Sequence, residues 1–324
     1  MPPLKSLQHQ FPSIDSNLLH FCASHGIFSV EDFLVHDLYM LVALAERQTS
    51  SKGLKEGIAQ VLTFLNNQHF PWMNGVELLE STQHNKHFLL TGFDGIDTLL
   101  CGGLCEGNLT ELAGPSSSGK TQFCLHAAAH VAYTYMCSVL YLDTSNSFSS
   151  KRISYRVNRL LASPNKGEKG RSLEGIMSSI LSHSVFDIFS MFETLHQLEL
   201  SLSSQLFQAE IQNSKLRLLI VDSISSLITP ILGGKGPQGH SLMLNVGFIL
   251  KKLAIDYNLA VLVTNHTVVG EGGNSKPALG ESWKSVPHTR LLLSRDQMSN
   301  ICNMSILKHT SMACGQTASF RLDG

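Results

Sequence analysis

A glycine-rich stretch in the first half of the chain has the residue types and spacing of a phosphate-binding loop. It runs Gly114-Pro115-Ser116-Ser117-Ser118-Gly119-Lys120-Thr121 and matches the pattern G-x-x-x-x-G-K-[ST]. The glycines let the backbone curl, so that consecutive N–H groups point at phosphate oxygens. The ammonium of Lys120 would then reach the outer phosphates, and the hydroxyl of Thr121 would coordinate Mg²⁺. The pattern predicts a nucleoside triphosphate site. The alternative is a Gly/Ser-rich turn that matches by chance.

The residues on either side of this loop separate the two interpretations. Leu109–Ala113 is typical of a short strand, and Gln122–Val131 is typical of a helix. A strand–loop–helix arrangement places the phosphates at a helix N-terminus, where the backbone dipoles favour anions. The context therefore favours the nucleotide site.

An acidic residue later in the chain fits the same chemistry. Leu218–Val221 is a run of four apolar residues that ends at Asp222. An acid at the carboxyl end of a buried strand can hold a magnesium-bound water beside a nucleotide. Taken alone, the segment also fits an ordinary buried strand; after a phosphate loop, the magnesium interpretation is the better one.

Other elements must hold the loop and the acid together. From about residue 88 the pattern alternates between apolar strands and amphipathic helices. We predict strands at 139–142, 216–222 and 260–264, helices from 149, over 186–206 and over 242–257, and closing strands at 290–294, 302–307 and 318–322. This order predicts an α/β core with a mostly parallel sheet that is covered by helices on both faces.

The chain divides into three predicted parts. Residues 1–65 form a small helical domain, 66–87 form a polar linker, and 88–324 form the α/β core. Inside the first part, the break at Ser24–Ile27 separates two short helices. It fits a packing turn with a glycine cap, and it also resembles the hairpin of small nucleic-acid-binding modules.

The composition limits the remaining function classes. The 324 residues carry a formal net charge of −1, which argues against a strongly basic nucleic-acid binder. The seven cysteines lack paired Cys-x-x-Cys spacing, so we expect reduced thiols and no zinc site. No apolar run of about 18 residues and no apolar signal segment is present, so we expect no membrane span and a cytosolic or nuclear location.

Together these motifs resemble those of the RecA-like recombinases in their eukaryotic and archaeal form. The matching segments are, in order, Leu90–Gly103, Gly114–Gln122, Asp143-Thr144, Asp222-Ser223 and Thr264-Asn265. Within the family, the D-type recombinase paralogs are most similar, through Phe186–Phe189, Pro230–Gly234, Asn265-His266, Lys276–Gly280, Trp283, Pro287 and Thr289-Arg290. The resemblance implies a RecA-like P-loop ATPase core, with a mostly parallel sheet, and a small all-α N-terminal domain.

The resemblance also implies ATP and Mg²⁺ as ligands and extends the set of site residues. Gln122 would join the phosphate loop, and Asp222 would hold Mg²⁺ through a water while Thr121 binds it directly. Arg152 would stack on the adenine ring, although a solvated helix arginine fits it equally well. His266 would occupy the position that senses the γ-phosphate.

This chain departs from the strand-exchange recombinases at two positions. The family has a glutamate that activates the attacking water where this chain has Ser145. Because a serine hydroxyl does not accept and hold a proton at neutral pH, we assign no catalytic residue and expect nucleotide binding with slow hydrolysis. His266 replaces a glutamine, so contact with the γ-phosphate should depend on pH.

Two glycine-containing segments correspond to the family's single-stranded DNA loops. They are Thr229–Gly239 and His266–Lys276, each with one lysine and no aromatic side chain. Phosphate neutralisation and base stacking supply most single-strand affinity, so we expect weak DNA binding.

The linker lacks the segment by which recombinases form filaments. Between Asn66 and Leu90, neither Phe70 nor Phe88 begins the Phe-x-x-Ala pattern that passes onto a neighbouring core, so a homo-filament is not expected. Phe70–Trp72 and Val76–Leu79 are apolar enough to dock a specific partner instead, and packing on the chain's own core is the alternative.

The resemblance then implies a nuclear subunit of a heteromeric paralog complex. Its partners would be the C-type paralog and the X-ray-repair cross-complementing paralog, and the complex would assist recombinase loading on single-stranded DNA in homologous recombination. One alternative is a self-assembling DNA-dependent ATPase with strand-exchange activity. Another is a scaffold with a vestigial phosphate loop.

Overall fold

The computed structural model describes most of the chain. Described are residues 4–9, 11–48, 51–68, 74–76, 87–162, 172–207, 215–232, 238–269, 275–296 and 298–322. The chain divides into two compact units, Met1–His84 and Asn85–Gly324. No helix in these ranges is both long and apolar enough to cross a membrane.

The first unit is built from helices around its own apolar core. A 3₁₀ helix at Leu4–His9 precedes α1 (Ser16–Ser24), α2 (Val30–Val35), α3 (Leu38–Glu46) and α4 (Ser51–Gln68). Helix α4 continues three residues into the predicted linker, so the helical pattern ends later than residue 65. The proposed domain limits at residues 65 and 87 stay predictions.

The break after α1 is a glycine-capped turn. Gly26 has a φ of +76°, which glycine adopts without steric cost. Its N–H donates to the carbonyl of Ala23 at 3.1 Å, and the N–H of Ile27 donates to the carbonyl of Cys22 at 2.9 Å. This pair of bonds is the Schellman arrangement, with Ile27 buried beside the helix end. The packing-turn interpretation therefore accounts for the segment.

The second unit contains a central sheet with helices on both faces. Its elements are β1 (Phe88–Leu89), α5 (Asp94–Leu99), β2 (Leu104–Cys105), β3 (Leu109–Gly114), α6 (Lys120–Tyr135), β4 (Ser138–Asp143), α7 (Ser150–Ala162), α8 (Leu173–Ser178), β5 (Ile180–Ser184), α9 (Ile188–Phe207), β6 (Leu216–Asp222), α10 (Ile224–Leu232), α11 (Gln238–Tyr257), β7 (Ala260–Val269), β8 (Ser275–Pro277), α12 (Gly280–Lys284), β9 (Thr289–Arg295), β10 (Ile301–Lys308) and β11 (Thr317–Arg321). This arrangement confirms the predicted α/β class.

The main sheet is mostly parallel. Its strand order is β11-β10-β9-β3-β7-β6-β4-β5, and β8 pairs with β7. The six strands from β9 to β5 are parallel, whereas β10 and β11 add antiparallel strands at one edge. Alternate residues of β6 enter two separate cores: Ile220 packs with α6 and α7, and Leu219 packs with α9 and α11. Burial on both faces explains why the strand reads as a continuous apolar run.

The strand register brings the carboxyl ends of the parallel strands together. Gly114 lies opposite His266, and Asp143 lies opposite Asp222. Ligands of open α/β sheets bind at this edge, outside the carboxyl ends of the strands. Residues that are far apart in sequence therefore meet there.

Both predicted DNA-loop segments differ from expectation. Thr267–Val269 belong to β7 and pair antiparallel with β8 (Ser275–Pro277), so both ends of the predicted segment His266–Lys276 are strand. Helix α10 continues past Pro230 because Ile231 and Leu232 pack against the core, and Gly239 already belongs to α11. Residues 233–237 and 270–274 lie outside the described part of the chain.

A buried ionic cluster joins three strands just behind the site. Glu111 on β3 is fully buried and lies opposite Arg290 on β9, whose Nε donates to its carboxylate. The other carboxylate oxygen accepts from Asn265 Nδ2 on β7 at 2.6 Å and from Trp283 Nε1 on α12 at 3.1 Å. A buried charge requires such partners, since an unpaired one carries a large desolvation cost. The cluster therefore links β3, β7, β9 and α12.

Removal of this carboxylate should destabilise the core. The Glu111→Ala substitution is expected to lower the free energy of unfolding of the α/β unit by roughly 3–5 kcal/mol, because Arg290 would stay buried without its counter-charge. Urea unfolding followed by circular dichroism measures this. The control is Glu281→Ala, which breaks the exposed pair with Lys284 and should leave the midpoint nearly unchanged. Equal midpoints for the two variants would contradict the assignment.

Candidate nucleotide site

The glycine-rich loop lies between β3 and α6, as the sequence predicts. Gly119 has a φ of +102° and Ser117 a φ of +63°, so the loop turns through the left-handed region at two positions. A Cβ atom on Gly114 would come within 2.5 Å of the carbonyl oxygen of Leu293 on β9. The first glycine is therefore required by the close approach of a neighbouring strand, and the second by its backbone conformation.

Lys120 connects the two ends of the loop. Its Nζ donates to the carbonyl of Gly114 at 2.7 Å and to that of Pro115 at 2.8 Å. The side chain is buried, and burial lowers the pKa of its ammonium, while the Asp222 carboxylate acts in the opposite direction. This places the ammonium on the loop's own carbonyls, in the region where a phosphate would lie.

Asp222 is an oriented, buried carboxylate at the end of β6. Tyr141 on β4 donates its hydroxyl to Oδ2 at 2.7 Å, and the hydroxyl of Ser147 lies 3.4 Å from the same oxygen. Thr264 on β7 donates to Oδ1. Burial raises the pKa of Tyr141, with further contributions from Cys124 and Asp222, so the phenol keeps its proton and donates. Three hydroxyls thus hold one carboxylate in place. Sequence patterns did not indicate that Tyr141 or Thr264 contacts Asp222.

The turn after β4 is organised by Asp143. Its carboxylate accepts from the backbone N–H groups of Ser145 at 3.1 Å, Ser147 at 3.1 Å and Phe148 at 2.9 Å. Asn146 takes a φ of +55° inside this turn, a conformation that asparagine tolerates well. The turn presents the exposed Ser145 at the site.

Thr144 joins that turn to the end of β6. Its hydroxyl donates to the carbonyl of Ser223 at 2.8 Å and accepts from the backbone N–H of Ser223 at 2.7 Å. The two strand ends are therefore connected directly, next to Asp222.

Most of the predicted site residues line a cavity of about 320 Å³. Nine of the twelve line it: Ser116, Ser117, Gly119, Lys120, Thr121, Gln122, Arg152, Asp222 and His266. The other three, Gly114, Pro115 and Ser118, belong to the same loop. Ser145, Ser223 and Arg295 also line the cavity. Sequence patterns assign no site role to Ser223 or Arg295, and only the fold brings these two side chains to the cavity.

Gln122 is held by an arginine that sequence reasoning missed. Its Oε1 accepts from Arg156 Nη2 at 2.7 Å, and Nη1 of this arginine lies 3.0 Å from Nδ1 of His126. Arg156 is 8% exposed, whereas Arg152, one turn earlier on α7, is exposed and lines the cavity. Arg152 is thus available for a ligand, and Arg156 positions Gln122.

His266 lies at the cavity edge on β7. Its N–H donates to the hydroxyl of Ser225 at 3.0 Å, and its Nε2 lies 3.5 Å from the hydroxyl of Ser223. Burial lowers the pKa of the imidazole, Lys120 adds to this, and Asp222 opposes it. The imidazole is therefore neutral at neutral pH.

The donor set fits a magnesium nucleotide better than a metal ion alone. In the described ranges, no three His, Cys, Asp or Glu side chains are grouped to hold a metal. Thr121 and Asp222 offer hard oxygen ligands, and Mg²⁺ binds typically through one or two such groups with phosphates and water completing its shell. Within the same ranges, the Thr121 hydroxyl has no hydrogen-bond partner and is free to serve as a ligand.

A second, larger depression offers no comparable chemistry. It measures about 660 Å³ and lies between α5 and the β10–β11 connection. Its described lining carries no charged side chain. The phosphate-loop cavity is therefore the candidate site.

Comparisons with known proteins agree with this fold and site. The Rad51 family model matches residues 84–303. The bovine DNA repair protein RAD51 homolog 4 is 36% identical over 289 residues, which cover 89% of this chain and 84% of the bovine protein. Its mouse counterpart is 38% identical over 225 residues, or 69% of this chain and 65% of the mouse protein. The Dictyostelium discoideum DNA repair protein RAD51 homolog 3 is 26% identical over 260 residues, covering 74% of this chain and 65% of that protein. With its phosphate loop, its parallel sheet and a match over more than half its length, this chain belongs to the Rad51 family.

Proposed function

We propose that this chain is a MgATP-binding Rad51 paralog that acts in homologous recombination repair of DNA. The observation that carries the proposal is one cavity that combines the phosphate loop, Lys120, Thr121 and the oriented Asp222. Relatives named as DNA repair proteins, similar over most of the chain, support the cellular role. A nuclear location follows from that role.

Within this proposal, the nucleotide is bound firmly and hydrolysed slowly. The phosphates would lie on the loop and Lys120, and Mg²⁺ would be held by Thr121 directly and by Asp222 through a water. Among the described lining residues, Asp222 is the only carboxylate, and it already accepts from three hydroxyls. Ser145 lines the cavity where the family's glutamate would act as base. The described cavity therefore favours binding over turnover.

Bound ATP would act by stabilising one assembly state. A ligand shifts an equilibrium by its differential affinity for the two states, so slow turnover is compatible with a regulatory role. We infer that the chain is one subunit of a heteromeric complex with the C-type paralog and the X-ray-repair cross-complementing paralog, which assists recombinase loading. Val76, in the described part of the predicted docking segment, is 66% exposed and accessible to a partner, whereas Phe70–Trp72 and Leu78-Leu79 lie outside the described residues.

DNA contact would be weak and shared with those partners. Lys276 is exposed on β8, and Lys235 lies outside the described part of the chain. One lysine per loop neutralises few phosphates.

Imaging of the protein with single-stranded DNA, Mg²⁺ and ATP tests the self-assembly alternative. Long regular filaments would support that alternative.

Loss of the loop ammonium should abolish tight nucleotide binding. We expect Lys120→Ala to weaken ATP binding by roughly 10- to 100-fold, because a charge-assisted contact to phosphate is lost. Titration with a fluorescent ATP analogue measures the affinity, and pull-down of the C-type paralog measures assembly, which should weaken in parallel. Lys151→Ala, an exposed lysine outside the cavity, is the control. Wild-type assembly by the Lys120 variant would count against a role for ATP in the complex.

Restoring a carboxylate at the turn after β4 should accelerate hydrolysis. Ser145→Glu is expected to raise single-turnover ATP hydrolysis by roughly 10²-fold, the lower end of the usual contribution of a general base. Phosphate release under single-turnover conditions measures the rate. Ser145→Gln, which has the same length and no base, should hydrolyse ATP as slowly as the wild type. Identical rates for all three proteins would show that the missing base does not limit the reaction.

ATP affinity should rise as the pH falls, through His266. The pKa of the free imidazole is lowered, and the charge of a bound triphosphate would raise it, so the complex takes up a proton. The state that binds more protons gains stability at lower pH. Between pH 8 and pH 6 we expect the affinity of the wild type to increase by roughly three- to tenfold more than that of His266→Gln. The nucleotide's own titration affects both proteins equally, so the difference between the two profiles isolates the contribution of His266. Parallel pH profiles for the two proteins would show that His266 does not cause the pH dependence of the affinity.

A further inference from the structure

Arg295 reaches the phosphate-loop cavity from the side opposite to Asp222. It is the last residue of β9, which runs parallel to β3 and pairs with it up to Leu292. The carbonyl of Leu293 approaches Gly114 so closely that a Cβ there would lie 2.5 Å away. Two residues later, the Arg295 side chain lines the same cavity as Lys120. The end of β9 is thus one wall of the site.

The turn between β9 and β10 holds this side chain. Arg295 Nη2 donates to Asn300 Oδ1 at 2.8 Å. Asn300 has a φ of +54°, and its N–H donates to the carbonyl of Asp296 at 3.1 Å. The Asp296 carboxylate also accepts from the N–H of Met298. The Asn300 amide oxygen occupies one of the five N–H donors of the Arg295 guanidinium. Most of the donors therefore stay available to a ligand.

The charged side chains that line the cavity are mostly cationic, so a second cation besides Lys120 can bind phosphate there. In the described lining, Lys120, Arg152 and Arg295 face a single carboxylate, Asp222. Arg295 itself has no ion pair within the described part of the chain. Because planar guanidinium groups match phosphate oxygens and carry a permanent charge, an exposed arginine at the rim of a phosphate loop is suited to an anion.

The strand order indicates which part of the nucleotide it would meet. Asp222 and His266 lie on β6 and β7, on one side of β3, and Arg295 lies on β9, on the other side. The magnesium and γ-phosphate positions proposed above belong to the β6–β7 side. We propose that Arg295, positioned by Asn300, binds the nucleotide through its inner phosphates, so that ADP and ATP gain equally from it. This inference rests on the proposed nucleotide binding at the cavity.

Nucleotide titrations of the full chain test the proposal. Arg295→Ala should weaken ADP and ATP binding by about tenfold each, since one charge-assisted phosphate contact is lost. Arg295→Lys should recover part of the loss, and Asn300→Gly, which keeps the positive φ and removes the amide, should weaken both nucleotides by a smaller factor. Arg321→Ala, an exposed arginine on β11 outside the cavity, is the matched control and should bind like the wild type. Thermal unfolding verifies that the four variants are folded.

The outcomes separate this inference from the proposed function. Failure of the wild type and of Arg321→Ala to bind either nucleotide would overturn the proposed function and this inference with it. Normal nucleotide binding by the wild type together with unchanged binding by Arg295→Ala would overturn the inference alone. A loss confined to ATP would likewise overturn it, because the contact would then lie at the γ-phosphate.

Discussion

The buried carboxylate of Glu111 is the contact on which the geometry of the site depends. It binds Arg290, Asn265 and Trp283, and thereby connects β9, β7 and α12 to β3, the strand that carries the phosphate loop. Asn265 directly precedes His266, and the loop begins three residues after Glu111. Buried ionic groups tolerate little displacement, since a charge without its partners is costly. The cluster therefore holds the strand ends in the positions that the cavity requires.

A consequence is that the C-terminal strands help to form the candidate nucleotide site. The carbonyl of Leu293 leaves no space for a side chain at Gly114, and the side chain of Leu322 packs where a Cβ on Gly119 would lie. Both glycines of the loop thus contact the β9–β11 region. Such close packing transmits displacements, because a protein interior is nearly as dense as a crystal of small molecules. A nucleotide that reshapes the loop would act directly on these strands, and a partner bound to them would act on the loop.

The polar groups around Asp222 are arranged for binding a charged ligand. Tyr141, Ser147 and Thr264 orient the carboxylate, Thr144 joins the two neighbouring strand ends, and Asp143 shapes the turn that presents Ser145. A preorganised network of this kind lowers the cost of placing a magnesium nucleotide. Among the described lining residues, it supplies no second carboxylate to activate water. The described lining thus combines one firmly oriented carboxylate with no second one beside it.

The sequence by itself determined the phosphate loop, the strand that ends at Asp222 and the α/β class. Each of these depends on local properties: glycine conformation, apolar periodicity and short-range spacing. Only the tertiary structure decided that Tyr141 orients Asp222, that Arg156 holds Gln122 and that Arg295 reaches the cavity. It also decided that β7 extends to Val269 and that α10 continues past Pro230, because pairing with β8 and packing of Ile231 against the core prevail over local turn signals. The physical reason is the strand order β9-β3-β7-β6-β4: it places distant segments side by side, and no local spacing encodes it.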